Sequence, residues 1–305
     1  MNKNELLLPS PLQKITLDVT ESRNIDLFVK RDDLIHPSLG GNKWRKLRYN
    51  IEKAKKLGKN MLLTFGGAFS NHIYSTAAAG SMFAFKTIGL IRGEEYLPLN
   101  PTLSFCKDQG MEIIYISREE YRKKNDQAYI EELSKKYPDA YIVPEGGTNK
   151  LAIKGSSEIL DEIETDFDYI CCAVGTGGTM AGLIKVAKPN QKVLGFSALK
   201  SGSFLNYEIK KLIPLSKNSN WRVVTEYHFG GYAKWTTELT DFINQFYKLT
   251  RIKLDPIYTS KMFYGILDLI ERGIISPNSK IVAIHSGGLQ GIQGFQERTG
   301  TKLFD

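Results

Sequence analysis

The amino-acid sequence predicts an α/β protein with two doubly wound, mostly parallel-sheet domains. From about residue 60 onward, short apolar runs alternate with longer amphipathic segments, which is typical of repeated β-α-β units. The chain has 305 residues, enough for one large or two medium domains. Apolar residues make up 42% and charged residues 24% of the chain, as in ordinary globular proteins, so the composition excludes an intrinsically disordered chain.

The first predicted helix follows a pair of glycines, Gly40 and Gly41, which permit backbone angles that other residues avoid. Asn42 is a good N-cap, Lys43 is the expected first helical residue, and apolar residues recur at helical spacing until Gly58. The helix dipole disfavours a cation at this end, so it would lower the pKa of Lys43 and make its amine nucleophilic. A solvated surface lysine is the alternative.

The first series of strands and helices forms one small doubly wound unit. Strands are predicted at Met61–Phe65, Lys86–Ile91, Glu112–Ile116 and Tyr141–Val143, and helices at Ser70–Phe83, Asn100–Gln109 and Tyr121–Lys136.

The second series predicts a second parallel sheet. Its strands are expected at Tyr169–Val174, Lys192–Ser197 and Lys280–His285, and its helices at Ala152–Glu164, Thr179–Val186, Thr236–Tyr247 and Ser260–Glu271. Ligands are expected in a cleft near the carboxyl ends of the strands.

A glycine-rich turn follows the predicted strand at residues 169–174. The segment Gly175-Thr176-Gly177-Gly178-Thr179 opens a helix of small residues, and such a turn directs free N–H groups at an anion. A dinucleotide fingerprint does not fit, because Met180 stands where its third glycine would fall, and no Gly-Lys-Ser/Thr follows as in a Walker loop. We expect a single small phosphate here, with a tight strand-to-helix connection as the alternative.

A second glycine turn, Gly66-Gly67, precedes the helix that begins near Ser70. The Ser70 hydroxyl is placed to cap this helix. Alternatively, Ser70 and Asn71 present donors to a substrate carboxylate or a cofactor oxygen.

The sequence lacks the signals of several other protein classes. Three cysteines form no disulfide framework and fit a reducing cytoplasm, and no apolar run is long enough for an export signal or a membrane span. The four histidines lie far apart, so no metal is expected, and no G-x-S-x-G motif indicates a serine hydrolase.

The net charge of +8 allows an acidic partner or a basic solvated surface. Because the basic clusters lie beside acids, we favour the surface and expect no nucleic acid.

Five motifs in the same order resemble one family. They are Gly40-Gly41-Asn42-Lys43 with Arg45 and Lys46, Ser70-Asn71, the turn at residues 175–179, Asp255-Pro256-Ile257-Tyr258-Thr259, and His285-Ser286-Gly287-Gly288. Over about residues 25–295 the chain is similar to the 1-aminocyclopropane-1-carboxylate deaminases and D-cysteine desulfhydrases. These are pyridoxal-phosphate enzymes of the tryptophan synthase β-like group, fold type II. The resemblance implies a homodimer, with the cofactor in the cleft between a large domain (residues 1–45 and 151–305) and a small inserted domain (residues 46–150).

The resemblance implies pyridoxal 5'-phosphate as the cofactor. It implies that Lys43 forms the internal aldimine and later moves the α-proton. Residues 175–179 would then hold the cofactor phosphate, which Lys46 helps to neutralise. Asn71 and Thr259 complete the implied cofactor contacts.

The implied substrate is a small amino acid. By the resemblance, Ser70 binds its carboxylate, and the phenols of two tyrosines guide a proton. The implied substrate contacts are Ser70, Asn71, His72, Tyr232 and Tyr258, and the implied catalytic residues are Lys43, Ser70, Tyr232 and Tyr258.

Two positions depart from the ring-opening deaminases and resemble the desulfhydrases. Thr259 stands where the deaminases carry Glu, and Ser286 stands where they carry Leu. A carboxylate would keep the pyridine nitrogen protonated, whereas a hydroxyl leaves it largely neutral, and the weaker electron sink suits β-elimination better than cyclopropane opening. The expected reaction converts D-cysteine to pyruvate, ammonia and sulfide. The alternatives are a deaminase that forms 2-oxobutyrate, a racemase, and a non-catalytic binder of an acidic ligand.

Overall fold

Two β-sheets organise the fold of the computed structural model, which describes residues 6–214, 216 and 218–304. The strands are β1 (Leu12–Ile15), β2 (Asp26–Lys30), β3 (Met61–Gly66), β4 (Lys86–Arg92), β5 (Met111–Ile116), β6 (Ala140–Val143), β7 (Tyr169–Val174), β8 (Lys192–Ser197), β9 (Trp221–Val224) and β10 (Lys280–Ile284). The larger sheet has the order β1-β2-β10-β7-β8-β9, in which β1 is antiparallel to β2 and the other pairs are parallel. The smaller sheet has the order β5-β4-β3-β6 and is parallel throughout. The predicted fold class is confirmed.

Helices cover both sheets. They are α1 (Asp18–Glu21), α2 (Asn42–Lys56), α3 (Asn71–Phe83), α4 (Pro101–Asp108), α5 (Arg118–Arg122), α6 (Gln127–Lys136), α7 (Lys150–Ser157), α8 (Gly178–Val186), α9 (Leu205–Leu212), α10 (Thr237–Thr250), α11 (Thr259–Glu271) and α12 (Gly291–Thr299). Within the described ranges, no helix combines the length and the apolar character that crossing a membrane requires.

The buried strands are the elements that the sequence predicted best. Strands β7 and β8 begin and end at the expected residues, and β3, β4, β5, β6 and β10 each differ from the prediction by one residue. Strands β1, β2 and β9 were not predicted, and neither were α1, α9 and α12. Each of these three strands has only four or five residues with polar side chains among them, so none forms a recognisable apolar run.

The helix expected at residues 121–136 is interrupted. Helix α5 ends at Arg122, and α6 starts only after Asp126, whose Oδ1 accepts a hydrogen bond from the Ala128 N–H at 3.0 Å. Because an aspartate side chain competes for backbone donors in this way, it starts a new helix instead of continuing the old one.

Four charged side chains, here called the Arg45 cluster (Lys30, Asp32, Arg45 and Glu162), tie α2 to the larger sheet. Arg45 Nη2 donates to Asp32 Oδ1 at 2.9 Å and to Glu162 Oε2 at 2.8 Å, and Lys30 Nζ donates to Glu162 Oε2 at 2.7 Å. Burial opposes the ionisation of Glu162, but hydrogen bonds from Arg45 and Lys30 outweigh it and lower the pKa of Glu162 to about 2. The helix expected at residues 152–164 is shorter than predicted and ends at Ser157. Glu162 lies in a separate short 3-10 helix, from which its carboxylate reaches the cluster.

Alternate residues of the central strands face two different cores. Cys171 of β7 packs with Ala283 of β10 on one face, and Cys172 packs with Val282 on the other. The adjacent cysteines therefore project to opposite faces of β7, and both are free and buried. Helices α10 and α11 contribute to the first core, and α8 and α9 to the second.

The division into a large domain (residues 1–45 and 151–305) and a small domain (residues 46–150) stays a prediction. The boundary at residue 45 falls inside α2. Residues 1–5, 215, 217 and 305 of the predicted large domain lie outside the described residues.

Candidate active site

A cavity of about 540 Å³ lies where strands of both sheets end. Most residues that line it follow the carboxyl ends of β3, β4, β6, β7 and β10, or begin α2, α3 and α8. The carboxyl ends of parallel strands and the positive ends of helices meet at such a position, which favours binding of an anionic ligand. The cavity therefore lies where the sequence analysis expected a ligand.

Every residue expected in the site lines this cavity except Thr259. Those that line it are Lys43, Lys46, Ser70, Asn71, His72, Gly175, Thr176, Gly177, Gly178, Thr179, Tyr232 and Tyr258. Thr259 is fully buried, and its Oγ1 donates to Asp255 Oδ1 at 2.7 Å. Thr259 therefore does not line the cavity in which the resemblance implied that it contacts the cofactor.

Lys43 lies in the first turn of α2. The helix follows Gly41, whose φ is 69° and at which a Cβ would overlap the carbonyl oxygen of Ser286. Burial lowers the pKa of Lys43 to about 8, and the Asp255 carboxylate opposes this decrease. The direction agrees with the sequence analysis, but the main cause is desolvation rather than the helix dipole. The amine is a better nucleophile at neutral pH than an ordinary lysine.

Asn42 does not act as the N-cap that the sequence predicted. Gly41 takes the cap position, and the Asn42 side chain forms a bridge. Its Nδ2 donates to Thr179 Oγ1 at 3.0 Å, and its Oδ1 accepts from Lys43 Nζ at 2.9 Å. The prediction from residue type was wrong because a partner 137 residues away engages the side chain. Asn42 thus joins the lysine to the glycine-rich turn.

The glycine-rich turn at residues 175–179 has the features of an anion site. The N–H groups of Gly175, Thr176 and Gly177 donate to no residue that the structure describes. Helix α8 begins at Gly178, so the positive end of the helix adds to these unpaired donors. A Cβ at Gly178 would lie only 2.9 Å from Cε of Lys46, so glycine allows this lysine to approach the turn.

Lys46 connects the turn to another wall of the cavity. Its Nζ donates to Gly146 O at 2.6 Å, to Thr148 Oγ1 at 2.9 Å and to Thr176 Oγ1 at 3.2 Å. Burial and, to a lesser extent, the nearby Lys43 lower the pKa of Lys46 well below its ordinary value. An anion bound at the turn would counter both effects and favour the charged ammonium group.

The start of α3 forms a further side of the cavity. Ser70 is the N-cap, since its Oγ accepts from the N–H groups of His72 and Ile73 at 3.2 Å and 3.3 Å. The capping prediction is confirmed, and the Ser70 O–H has no acceptor among the described residues, so it can donate to a ligand. Asn71 also lines the cavity, and its Oδ1 accepts from Nε2 of Gln290.

His72 is a buried neutral side chain in this wall. Thr64 Oγ1 donates to Val143 O at 2.8 Å, so its 2.8 Å contact with His72 Nε2 requires the ring proton on Nε2. Burial first, and then the nearby amines of Lys43 and Lys46, lower the pKa of His72 well below its ordinary value. His72 adds no positive charge to the cavity.

Tyr232 and Tyr258 bring two phenols together in the cavity wall. Their ring centroids are 6.0 Å apart, with the planes at 64°. Asp255 fixes the turn before α11, because its Oδ2 accepts from the N–H groups of Ile257 and Tyr258 at 2.9 Å each. Burial, together with the neighbouring Tyr232, raises the pKa of Tyr258 well above its ordinary value, so the phenol stays protonated and can donate a hydrogen bond.

Sequence reasoning missed two charged residues that line the cavity, Arg92 and Glu145. Arg92 ends β4, and Glu145 follows β6 by two residues. A signal for both was present, since each comes at the carboxyl end of a predicted parallel strand, where ligands of such sheets bind.

Comparison with known proteins identifies the family. Residues 5–287 match the family described as pyridoxal-phosphate dependent enzymes. The chain belongs to this family. Pyridoxal phosphate is therefore the cofactor of this enzyme, as the resemblance implied.

Individual relatives are similar to the enzyme over most of its length. A Pyrococcus furiosus protein named "Putative 1-aminocyclopropane-1-carboxylate deaminase" is 31% identical over 301 residues, covering 92% of this chain and 90% of the relative. The Arabidopsis thaliana mitochondrial protein named bifunctional D-cysteine desulfhydrase/1-aminocyclopropane-1-carboxylate deaminase is 30% identical over 311 residues, covering 93% of this chain and 77% of the relative. A crystal structure of a homologue of that deaminase superposes with a TM-score of 0.83 at 28% identity, covering 96% of this chain and 94% of the other.

The cavity of the enzyme fits pyridoxal phosphate on two structural grounds. The cofactor aldehyde needs an amine of lowered pKa, which Lys43 has. The cofactor phosphate needs an anion site, and the turn at residues 175–179 has unpaired N–H donors at the start of a helix.

Proposed function

We propose that this enzyme is a lyase that catalyses β-elimination and deamination of a small amino acid, with D-cysteine converted to pyruvate, ammonia and sulfide. The supporting observation is the bridge through Asn42, which joins Lys43 to Thr179 of the glycine-rich turn. It places an amine of lowered pKa beside an anion site, as the cofactor requires. When bound, pyridoxal phosphate supplies an electron sink that stabilises negative charge at the substrate Cα.

In this proposal Lys43 holds the cofactor and carries the α-proton. An amine with a pKa of about 8 has both its free and its protonated form populated near neutral pH, as proton transfer in both directions requires. Residues 175–179 and Lys46 bind the cofactor phosphate, and Asn71 binds another oxygen of the cofactor or substrate.

The substrate carboxylate is proposed to bind at the start of α3. Ser70 can donate its O–H there, and the helix N-terminus favours an anion. Tyr258 and Tyr232 supply protonated phenols at the cavity wall, which can donate to a leaving group. The neutral imidazole of His72 lines the cavity, and we propose that it contacts the substrate.

The electrostatics of the cavity favour elimination over ring opening. Of the described residues that line the cavity, Glu145 is the only carboxylate, and it is already bonded to Tyr121 and paired with Lys124. Ser286 contributes a hydroxyl to the lining. Without a free carboxylate beside it, the cofactor ring nitrogen would stay largely neutral and form the weaker sink that suits loss of a good leaving group.

Product release from a panel of amino acids tests the proposal. The panel contains D- and L-cysteine, D- and L-serine, β-chloroalanine and 1-aminocyclopropane-1-carboxylate. We expect pyruvate and sulfide from D-cysteine to form faster than 2-oxobutyrate from the cyclopropane amino acid. Equal or faster formation of 2-oxobutyrate would contradict the proposal.

Lys43→Ala is expected to abolish the visible absorbance of the bound cofactor and all turnover, because the variant lacks the amine. Lys53→Ala on the exposed side of the same helix is the matched control, and it should retain both properties. Activity in the Lys43→Ala variant would show that another residue fills the proposed role.

A 1-aminocyclopropane-1-carboxylate deaminase is the second candidate. The names of the Pyrococcus furiosus and Arabidopsis thaliana relatives both include this activity. Chiral analysis of unreacted substrate in the same panel would detect a racemase, the third alternative from the sequence analysis. Because the chain belongs to an enzyme family, the non-catalytic binder expected as an alternative is set aside.

A homodimer in the cytoplasm stays a prediction from the sequence. Light scattering of the purified enzyme would test the oligomeric state.

A further inference from the structure

Arg92 is a charged cavity residue that the proposed function does not use. It ends β4 and lines the cavity together with Gly67 and Tyr232. Its Nη2 lies 4.0 Å from the position that a Cβ on Gly67 would occupy. The Gly67 carbonyl oxygen accepts a hydrogen bond from the Ser70 N–H at 3.0 Å, so the guanidinium stands beside the turn that holds the segment proposed to bind the substrate carboxylate.

The Arg92 guanidinium forms no ion pair with a carboxylate among the described residues. It lies over the Tyr121 ring, 5.6 Å from the centroid, and its charge also acts on Tyr232. Tyr121 is only 3% exposed, and its Oη donates to Glu145 Oε1 at 2.5 Å. A buried aromatic ring thus lies under the exposed Arg92 guanidinium, whose N–H donors are open to a ligand.

The other charged groups around the cavity already have partners. Glu145 is bonded to Tyr121 and forms an ion pair with Lys124 at 3.4 Å. Lys46 donates to three protein oxygens, and Lys43 is reserved for the cofactor. Among the described cavity residues, Arg92 is the cation that is left to meet an acidic group of the substrate.

We propose that Arg92 is a specificity-determining residue that binds a second acidic group on the substrate. The preferred ligands are then small amino acids whose side chain carries a second oxyanion, and the preferred substrates are those in which it can leave as sulfite, sulfate or phosphate. A guanidinium suits this task because it presents paired N–H donors to an oxyanion. This inference deepens the proposed function and rests on it for turnover: D-cysteine undergoes the chemistry, and an anionic β-substituent improves binding.

Serine O-sulfate is a suitable probe because its elimination needs no oxidant or reductant. The Cα–H bond breaks and its proton passes to the amine of Lys43, while the electron pair of that bond forms the Cα=Cβ bond. The Cβ–O bond breaks, and sulfate leaves with its electron pair. Water then converts the resulting enamine to pyruvate and ammonia.

The turnover test compares the wild-type enzyme, Arg92→Gln and the control Arg118→Gln, which removes the same charge from an exposed position outside the cavity. Both enantiomers of serine O-sulfate and O-phosphoserine are measured against β-chloroalanine, whose side chain is uncharged. Arg92→Gln should lower kcat/KM for the two acidic probes by about 10- to 100-fold, mainly through KM, because a charge-assisted hydrogen bond is lost. The value for β-chloroalanine and the cofactor absorbance should be unchanged. Arg118→Gln should behave like the wild type.

Binding measured without turnover separates this inference from the proposed function. Calorimetric titration with aspartate, whose side-chain carboxylate cannot leave by β-elimination, and with alanine, each as both enantiomers, should show tighter binding of aspartate to the wild type and loss of that preference in Arg92→Gln. If no probe is turned over but this difference is found, the elimination is wrong and the Arg92 subsite stands. Equal weakening of aspartate and alanine would place Arg92 on the α-carboxylate and overturn the inference, and so would unchanged binding of both.

Discussion

Lys43 has the same side chain as the exposed Lys53 of the same helix, yet the two lysines have different surroundings. Burial beside the cavity lowers the pKa of Lys43 from 10.5 to about 8. A decrease of this size raises the fraction of free amine at neutral pH by roughly two orders of magnitude. At the residue scale, desolvation is what turns an ordinary lysine into a nucleophile.

Attachment of pyridoxal phosphate to the apo-enzyme should therefore depend on pH. The free amine reacts, and its fraction rises as the pH passes through the pKa, so the attachment rate should rise between about pH 6.5 and 9. The half-maximal rate is expected near pH 8, the pKa of Lys43. Stopped-flow absorbance after mixing apo-enzyme with the cofactor measures this rate. A midpoint near that of an ordinary lysine would show that burial does not tune the amine.

A side chain of α11 holds the backbone of the loop at residues 228–233. Four residues of this loop have positive φ, among them Phe229 at 48°. Such a backbone is unfavourable for a residue with a side chain. Lys261 of α11 stabilises the loop, because its Nζ donates to His228 O at 2.9 Å and to Gly231 O at 2.8 Å. At the scale of elements, a buried lysine holds the segment that carries Tyr232.

Replacement of Lys261 by methionine should loosen this loop without touching the cofactor. Because the variant lacks the ammonium group, the buried Gly231 carbonyl and the partly buried His228 carbonyl lose a partner, and the free energy of unfolding should fall by about 1–3 kcal/mol. Displacement of Tyr232 should raise KM more than it lowers kcat. Lys248→Met on the exposed face of α10 is the control.

The measurements are urea unfolding, steady-state kinetics and cofactor absorbance. Lys261→Arg should partly restore KM, since arginine retains donors. A loss of cofactor absorbance in Lys261→Met would show that the lysine acts on the cofactor site itself.

The Arg45 cluster, composed of Lys30, Asp32, Arg45 and Glu162, joins distant parts of the molecule. Glu162 follows α7, Asp32 follows β2, and Arg45 belongs to the helix that begins with the proposed cofactor-binding lysine. Positive and negative charges balance within the cluster, so the buried charges stabilise one another. At the scale of the whole molecule, this cluster determines where the start of α2 lies relative to the larger sheet.

Glu162→Gln should destabilise the whole fold by about 3–5 kcal/mol, because it leaves the buried Lys30 without its carboxylate partner and Arg45 with Asp32 alone. In the wild type, the folded-state pKa of Glu162 is lowered to about 2, so its stabilising effect is present above the unfolded-state pKa. The effect is lost as the pH falls from about 4.5 toward 2, and the variant should show a smaller loss over that range.

Urea unfolding at a series of pH values measures both effects. Glu164→Gln, at an exposed neighbouring position, is the control. Equal stability of the two variants at neutral pH would show that the Arg45 cluster contributes little to folding.

The buried strands and the glycine-rich turn could be predicted from the sequence alone, whereas the role of Lys43 stays a proposal that the resemblance of motifs suggested. Strands β7 and β8 have the predicted bounds because short apolar runs, unbroken in β7 and flanked by Lys192 and Ser197 in β8, indicate burial without reference to other elements. The turn at residues 175–179 was predictable because the backbone freedom of glycine is a local property.

The contacts between side chains that are far apart in the chain became apparent only from the tertiary structure. Asn42 bridges to Thr179 instead of capping its helix, and Arg92 reaches the cavity from a strand end that no motif marks. It also showed that the Thr259 hydroxyl is bound to Asp255 rather than exposed in the cavity. A hydrogen bond forms only between groups that packing brings to about 3 Å, and packing depends on elements that are far apart in the chain.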